Sequence, residues 1–273
     1  MFAPTSENRT ALYNAYIIYG KKPKGGGPVA EPIRLQKFFT DSGVLSRRAA
    51  EAEILAGNVL VNGVPAILGD RVDPERDIVT YKGRRVLPRA DKPRRYVMLN
   101  KPRGYVTTAH DEKGRRNVTD LVRSVGTRLY PVGRLDMDSE GLLLLTDDGE
   151  LTNRLTHPRH EIPKIYHVTV SPAPTKLQLR SLSEPMELDG YRLLPVGVRK
   201  LDENTLEMTL FEGRNRQIRR MCDAVGLRVK TLRRVAIGKL SLGELPLGAW
   251  RDLSEKEVAY LYGKGGNQTE RND

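Results

Sequence analysis

The segment "YPVGRLDMDSEGLLLLTDDGEL", residues 130–151, places four aspartates around a run of four leucines. Its run of four leucines has the length of a buried strand, and polar segments containing glycine bound it on both sides. Asp147 and Asp148 precede a leucine-spaced segment, so we predict that they are turn or helix-cap residues. Asp136 and Asp138 lie in the loop before the strand. Two carboxylates so close together in a basic chain make this loop a candidate site.

Strand and helix patterns continue on both sides of this stretch. Strand patterns are found at "YVMLN", "GLLLLT", "KIYHVTV", "YRLLPVGV", "TLEMTLF" and "RVKTLRRVAIGKL", and helical patterns at "DGELTNRLTH" and "RNRQIRRMCDAVG". Strands outnumber helices and occur in groups that are adjacent in sequence. This order predicts an α+β domain with a mixed, mainly antiparallel sheet and flanking helices.

A smaller helix-helix-hairpin pattern precedes this sheet. In "IRLQKFFTDSG" the apolar residues fall on one helical face, and Gly43 is placed to end the helix with a left-handed backbone. Ser46 is predicted to cap the next helix, and "NVLVNGVPAI" predicts a hairpin with an Asn-Gly turn. The basic residues at the two helix starts are Arg34, Lys37, Arg47 and Arg48. Helix starts favour anions, so this face could contact phosphate, although arginines on a solvated face are the alternative.

The bulk composition indicates a globular chain with more than one folded unit. Its 273 residues exceed the usual size of one domain, and hydrophobic residues make up 38%. We predict a flexible basic extension over 1–32, a small module and linker over 33–92, a catalytic domain over 93–262 and a flexible tail over 263–273. The sequence shows no apolar run of membrane-spanning length.

Charge and cysteine content indicate the partner and the compartment. The net charge of +12 and the pI near 9.8 favour a polyanionic partner, with nucleic acid ahead of an anionic membrane or plain solubility. The N-terminus lacks the pattern of a secretory signal, and the single cysteine, Cys222, cannot form an internal disulfide. Both features predict a cytoplasmic protein.

The segment "RNRQIRRMCDAVG" predicts an amphipathic helix with Cys222 on its apolar face and a stripe of arginines opposite. It begins a cluster of eight basic residues opposed by one acid, Asp223. The eight are Arg214, Arg216, Arg219, Arg220, Arg228, Lys230, Arg233 and Arg234. Such a cluster repels itself unless an anion lies nearby, which favours RNA phosphate as its partner.

Other chemistries lack their motifs. The chain has four histidines with one close pair, His157 and His160, and no thiol or acid cluster at ligand spacing, so no metal site is expected. We find no nucleophile-elbow serine, phosphate-binding glycine loop or dinucleotide fingerprint. A carboxylate-dependent glycosidase is an alternative for the paired aspartates, although so basic a chain does not favour it.

These segments resemble known families. "RLQKFFTDSGVLSRRAAEAEILAGNVLVNG" resembles the RNA-binding module first described in small-subunit ribosomal protein four, over roughly residues 33–80. "VGRLDMDSEGLLLLTDDGELTNRLTHP", "KIYHVTV" and "EGRNRQIRRM" look like the three signature segments of the RsuA/RluB family of ribosomal-RNA pseudouridine synthases, and "NKPRG" supports the match. "NRQIRRM" and "KPRGYVTTAHDEKGRRNVTDL" are more similar to the large-subunit enzymes of that family.

The resemblance implies an isomerase that detaches uracil from its ribose, rotates it and rejoins it through carbon, without a metal or organic cofactor. By motif, Asp136 in "GRLD" would be the catalytic carboxylate and Arg219 in "QIR" its charged partner. Tyr166 in "KIYHV" would stack on the uracil. From the residues alone, the alternation of Tyr166 with Val168 and Val170 fits core packing at least as well.

The expected partner is ribosomal RNA, of the large subunit or its precursor particle, bound by a monomer. Our candidates for RNA contacts in the larger domain are Lys101, Arg103, Arg134, Arg214 and Arg216. The alternatives are an enzyme acting on small-subunit rRNA and a non-catalytic rRNA-binding or ribosome-assembly protein. The latter would leave the three signature segments unexplained.

Overall fold

The computed structural model describes residues 31–88, 93–157 and 161–263. The chain divides into two compact units between Ala90 and Asp91. The predicted extension over 1–32 and tail over 263–273 lie almost wholly outside the described residues and stay predictions. The same holds for His160, the second member of the histidine pair.

The smaller unit is built from two helices and short strands. Its helices are α1 (Leu35–Asp41) and α2 (Arg47–Leu55), and its strands are β1 (Ile33–Arg34), β2 (Val59–Val61), β3 (Val64–Pro65), β4 (Arg71–Val72), β5 (Val79–Tyr81) and β6 (Arg84–Val86). The predicted cap is confirmed, because the Ser46 side chain accepts a hydrogen bond from the amide of Ala49. The predicted turn is confirmed too, with positive φ at Asn62 and Gly63 between β2 and β3.

The larger unit holds most of the strands. Its strands are β7 (Tyr96–Lys101), β8 (Tyr130–Val132), β9 (Glu140–Thr146), β10 (Lys164–Ser171), β11 (Glu187–Leu188), β12 (Tyr191–Arg192), β13 (Gly197–Lys200), β14 (Thr205–Leu210), β15 (Arg228–Ile237), β16 (Leu240–Ser241) and β17 (Trp250–Asp252). Its helices are a 3-10 helix (Val118–Val125), α3 (Gly149–Thr156), α4 (Lys176–Ser183), α5 (Gln217–Ala224) and α6 (Glu255–Leu261). The predicted α+β class is confirmed.

One sheet of nine strands runs through this unit in the order β13-β14-β10-β15-β9-β7-β17, with β16 beside β15 and β8 beside β9. Every pairing is antiparallel except that of β15 with β9, where Arg233 faces Glu140 and Arg234 faces Gly141. This parallel pairing joins two antiparallel halves. The loop between β8 and β9, which carries Asp136, therefore lies next to the join.

Apolar clusters on each half fix the sheet in place. On the β10 half, Val168, Leu206 and Met208 pack with Met221 and Cys222 of α5. On the other half, the four leucines of β9 alternate between two clusters, one under the 3-10 helix and one under α3 and α6. Cys222 is fully buried, as predicted, and burial raises the pKa of its thiol to about 12.

Asp148 is confirmed as the cap of α3, since its side chain accepts the amides of Glu150 and Leu151. Its second oxygen also accepts hydrogen bonds from the hydroxyls of Tyr96 and Tyr262. Burial works to raise the pKa of Asp148, and these hydrogen bonds more than offset it, so that the pKa lies below its ordinary value.

Three local predictions need correction. "YRLLPVGV" is two strands, because Leu193 and Val196 turn into the core between β12 and β13. The helix in "RNRQIRRMCDAVG" starts only at Gln217, so Arg214 and Arg216 precede it. Arg219 does not belong to a solvated stripe, since it is only 9% exposed.

No helix in the described ranges is both long and apolar enough to cross a membrane.

Candidate active site

A cleft opens beside the join of the two half-sheets. It is lined by Arg134, Leu135, Asp136, Ser139, Tyr166, Leu210, Glu212, Gly213, Arg214, Arg216, Gln217, Ile218 and Leu232. All three signature segments therefore contribute to one cavity. The Asp136 side chain is 35% exposed there, so one carboxylate is open to a ligand without being fully hydrated.

The loop that carries Asp136 is held by its backbone. Each carbonyl from residue 135 to residue 139 accepts a hydrogen bond. Thr107 Oγ1 donates to the carbonyl of Leu135 at 2.6 Å, and the amide of Gly104 donates to the carbonyl of Met137 at 2.8 Å. Arg219 Nη2 donates to the carbonyl of Asp138 at 3.1 Å. Lys101 Nζ donates to two carbonyls, those of Asp136 at 3.0 Å and Ser139 at 2.8 Å. Such a loop fixes the Asp136 side chain in place before any substrate arrives.

Lys101 is the centre of this support. It is fully buried, and its ammonium group also donates to the carbonyl of Pro102 at 3.1 Å. Burial lowers the pKa of Lys101 to about 8, although the nearby carboxylates of Asp136, Asp138 and Glu140 act in the opposite direction. The prediction that Lys101 contacts RNA phosphate is therefore wrong for this conformation, since the ammonium points inward and not to solvent.

Two arginines of the third signature segment reach the loop. Arg216 Nη1 lies 3.6 Å from Asp136 Oδ2, and both of its terminal nitrogens lie 3.2 Å from the Asp138 carboxylate. Arg219 Nη2 lies 3.3 Å from Asp138 Oδ2. Burial works to raise the pKa of Asp138, and the two guanidinium groups more than offset it, so that the pKa lies below its ordinary value. Burial lowers the pKa of Arg219 itself.

The expected direct pairing of Asp136 with Arg219 is thus not what the structure contains. Arg216, and not Arg219, is the cation within ion-pair distance of Asp136. The reason is geometric, because Arg216 precedes the helix in a left-handed conformation, with φ of 49°, and its side chain reaches back over the loop. Arg219 lies beneath the loop and contributes its charge from the buried side.

Tyr166 stands across the cleft on β10, where it pairs with Arg234 of β15. Its ring packs against apolar clusters of both half-sheets and still lines the cavity. Core packing and a site role, which were alternatives from the sequence, are therefore both compatible with its position. Asp136, Tyr166 and the arginines are gathered in one place, and their catalytic roles remain predictions.

The other predicted RNA contacts differ in their surroundings. Arg134, Arg214 and Arg216 are exposed and line the cleft. Arg103 is exposed outside it, with its guanidinium 3.4 Å from Glu140 and a hydrogen bond to the carbonyl of Lys230. In the small unit, Arg34, Arg47 and Arg48 are exposed, whereas Lys37 forms an ion pair with Asp41. RNA contact by any of these residues stays a prediction.

Sequence reasoning missed the residues that hold the site together. The Thr107 hydroxyl donates a hydrogen bond to the carbonyl of Leu135 and accepts one from the amide of Leu135. Gln217 and Glu212 fix the segment before α5, since the Arg214 amide donates to Gln217 Oε1 at 3.1 Å and the Leu194 amide to Glu212 Oε1 at 2.8 Å. No periodic signal marks such residues. Within the described ranges, no group of three or more acidic, histidine or cysteine side chains could hold a metal ion.

Comparisons with known proteins address the same segments. Residues 95–224 match the family model described as RNA pseudouridylate synthase, and residues 33–78 match that of the S4 domain. A protein of Aquifex aeolicus (strain VF5), named an uncharacterized RNA pseudouridine synthase, is 42% identical over 236 residues, which cover 84% of this chain and 94% of the relative.

Two further matches cover a similar share of the chain. The dual-specificity RNA pseudouridine synthase RluF of Escherichia coli (strain K12) is 40% identical over 230 residues, or 84% of this chain and 78% of the relative. A solved structure described as a crystal structure of pseudouridylate synthase is 31% identical, with a TM-score of 0.61, and the match covers 84% of this chain and 99% of that one.

Proposed function

The chain belongs to the RNA pseudouridylate synthase family and is an RNA pseudouridine synthase, and we propose that its substrate is a specific uridine in ribosomal RNA, of the large subunit or its precursor particle. It would act as a monomer in the cytoplasm, without a cofactor. The likeness of two sequence segments to the RluB type supports the large-subunit target. The observation that carries the proposal is the rigid loop that presents Asp136 to the same cleft as Tyr166 and a row of arginines.

The reaction requires that the target uridine leaves its stack and enters the cleft. Extrusion of a nucleotide costs about a few kcal/mol unless the base is already unpaired. Contacts of exposed arginines with the RNA backbone offset this cost. Arg134 is exposed, lines the cleft and would make such a contact, whereas both terminal nitrogens of Arg216 are already bound to the Asp138 carboxylate.

In the proposed mechanism, the Asp136 carboxylate attacks the anomeric carbon of the ribose or otherwise assists cleavage of the glycosidic bond. The carboxylate must be ionised for this step, and the guanidinium group of Arg216 lies 3.6 Å from it. The Tyr166 ring would stack on the detached uracil and keep it in the cleft while it rotates. C5 of the base then forms the new bond to the anomeric carbon, and the Asp136 carboxylate is released if it had formed an ester there. The proton lost from C5 is balanced by the proton that N1 gains, so the product is an isomer of uridine.

Asp138 has a different proposed part. Its carboxylate accepts hydrogen bonds from Arg216 and forms an ion pair with Arg219. Neither arginine donates a hydrogen bond to the Asp136 carboxylate in the described structure. A carboxylate that is charged but not covered by donors is a better nucleophile than one held in a bidentate pair. We therefore assign Asp138 to positioning the arginines.

The test compares two isosteric variants of the same loop. Asp136→Asn should bind RNA as wild type does and lose pseudouridine formation by about 10⁴-fold or more, the loss typical of removing a catalytic nucleophile. Asp138→Asn should slow the reaction but retain measurable turnover. Wild type and variants are incubated with unmodified rRNA of both subunits, and pseudouridine is mapped by selective labelling and reverse transcription.

The outcomes separate the alternatives. Normal modification by Asp136→Asn would refute the assignment of the carboxylate. Modification of small-subunit RNA alone would overturn the large-subunit target. A wild type that modifies no rRNA fragment or precursor particle would overturn ribosomal RNA as the substrate. The assay also includes transfer RNA, as a substrate that is not ribosomal.

A further inference from the structure

A short hairpin outside the three signature segments contacts a residue that lines the cleft. It consists of β11 and β12 joined by a turn at Asp189 and Gly190, both with positive φ. Asp189 forms an ion pair with Arg220 of α5 at 2.6 Å. Just after the hairpin, the amide of Leu194 donates to Glu212 beside the cleft. The hairpin is thus attached to the same segment that carries the third signature sequence.

Tyr191 of this hairpin lies against Arg214. The Arg214 guanidinium lies directly over the Tyr191 ring, and its Nε is 3.5 Å from Glu212 Oε2. Glu212 is itself mostly buried, with 10% of its side chain exposed. One face of the guanidinium is therefore covered by an aromatic ring and its edge faces a carboxylate. Its side chain still keeps 45% of its surface exposed and lines the cleft.

This arrangement suits a stacked base better than a phosphate. A phosphate is bound through the edge N–H groups of a guanidinium, and here Glu212 already neutralises part of that edge. A nucleobase stacks instead on the flat face of an arginine or on an aromatic ring. The open face of Arg214, supported from below by Tyr191, is a rigid and positively charged plane of this kind.

We propose that Arg214 and Tyr191 together form a stacking platform for an unpaired nucleobase next to the target uridine. When the uridine leaves its stack, its neighbours lose a stacking partner, and the platform replaces that partner at the mouth of the cleft. This inference rests on the proposed site at Asp136. It changes the predicted role of Arg214 from a phosphate contact to a contact with a base.

The experiment uses variants that separate charge from shape. Arg214→Lys keeps the charge but not the plane, Tyr191→Leu removes the supporting ring, and Tyr191→Phe keeps it. Arg192→Ala is the matched control, because Arg192 is an exposed arginine on the same hairpin. Dissociation constants are measured with the full-length protein, over a range of salt concentrations, for an RNA fragment that the wild type modifies.

We expect Arg214→Lys and Tyr191→Leu to weaken binding by about 5- to 100-fold, the effect of one lost base stack, at unchanged slope of log Kd against log salt. Tyr191→Phe should bind as wild type. An RNA with an abasic site beside the target should bind wild type more weakly by the same factor and remove the difference between wild type and Arg214→Lys. Two results together would overturn the platform and restore the phosphate contact. Arg214→Lys would bind with the affinity of the wild type, and the slope of log Kd against log salt would be reduced by about one in Arg214→Ala.

The two proposals can fail separately. The binding comparison is made on whichever RNA the wild type modifies, so modification of transfer RNA alone would contradict the ribosomal target and leave the platform test intact. Thermal unfolding of each variant checks that a loss of affinity does not come from a loss of folded protein. Equal losses on intact and abasic RNA would show that the platform contacts something other than the neighbouring base and would overturn the inference.

Discussion

Gly141 is the position where a single methyl group should do most damage to the site. It pairs with Arg234 in the one parallel pairing of the sheet, and its φ is +106°. A Cβ atom at this position would lie 2.2 Å from the carbonyl oxygen of Arg234 and 2.7 Å from its amide nitrogen. Both contacts are with backbone, which cannot move aside as a flexible side chain can.

The cost of Gly141→Ala has two parts. The positive φ costs an alanine roughly 1–2 kcal/mol. The clash adds about 1–3 kcal/mol or more, because β15 must shift and the guanidinium of Arg234 also donates to the carbonyl of Leu142 at 2.8 Å. We therefore expect a total loss of about 2–5 kcal/mol in the free energy of unfolding.

A matched control isolates the clash. Gly243 also has positive φ, at +56°, but a Cβ there would meet no atom within 4 Å. Gly243→Ala should therefore lose only the conformational part, about 1–2 kcal/mol. Urea denaturation is followed by the fluorescence of Trp250, the only tryptophan of the chain, which pairs with β7 in the same sheet and reports on the larger unit alone.

Activity should follow the same order. Separation of β9 from β15 would move the loop of Asp136 away from Tyr166, and a displacement of about 1 Å can cost 100-fold in rate. Gly141→Ala should therefore lose pseudouridine formation even under conditions where it is folded. Equal urea midpoints for the two alanine variants, or normal turnover by Gly141→Ala, would refute the reasoning that the parallel pairing holds the site together.

Two titrating groups give predictions of the same sign in two separate pH ranges, because the pKa of each is lowered on folding and stability therefore rises with pH for both. Burial lowers the pKa of Lys101 from 10.5 to about 8. Between these pH values the unfolded chain binds more protons than the folded chain, so the free energy of unfolding rises with pH, by up to about 3 kcal/mol. Lys101→Met should lack this rise when urea midpoints at pH 7.5 and pH 10 are compared. Hydrogen bonds from Arg251 lower the pKa of Glu257 from 4.5 to about 2, so its contribution is present above pH 4.5 and is lost as the pH falls towards 2. Glu257→Gln should be less stable than wild type at pH 7 by a margin that narrows at pH 3, and a margin independent of pH would contradict this.

The fold was predictable where local patterns are strong. The leucines of β9 alternate between two cores, the Ser46 and Asp148 caps lie where expected, and the Asn62–Gly63 turn closes its hairpin. These features depend on a few neighbouring residues. The parallel pairing of β9 with β15 was not predictable in this way, since it joins residues far apart in the chain and only the glycine at position 141 hints at it.

The site was predictable by motif and not by contact. Asp136 and Tyr166 line one cleft, but the arginine that lines it beside Asp136 is Arg216 and not Arg219, the partner that the resemblance implied. Which arginine meets which aspartate depends on the backbone at Arg216. The inward direction of Lys101 could not be read from a sequence either. A lysine beside a proline-glycine turn looks like a surface cation, and only the folded structure shows that its ammonium group donates to the carbonyls of Pro102, Asp136 and Ser139.

The density of aspartates around β9 has a physical explanation in a chain this basic. Asp148 caps α3 and receives two tyrosine hydroxyls, and Asp147 accepts the amide of Arg95 at 2.9 Å, so both are committed to structure. A lone Asp136 facing two arginines would be drawn into a bidentate ion pair and would lose the lone pairs needed for attack. Asp138 takes those hydrogen bonds in its place. In the proposed mechanism, the second carboxylate would leave an Asp136 oxygen open to the ribose while the arginines stay beside the cleft.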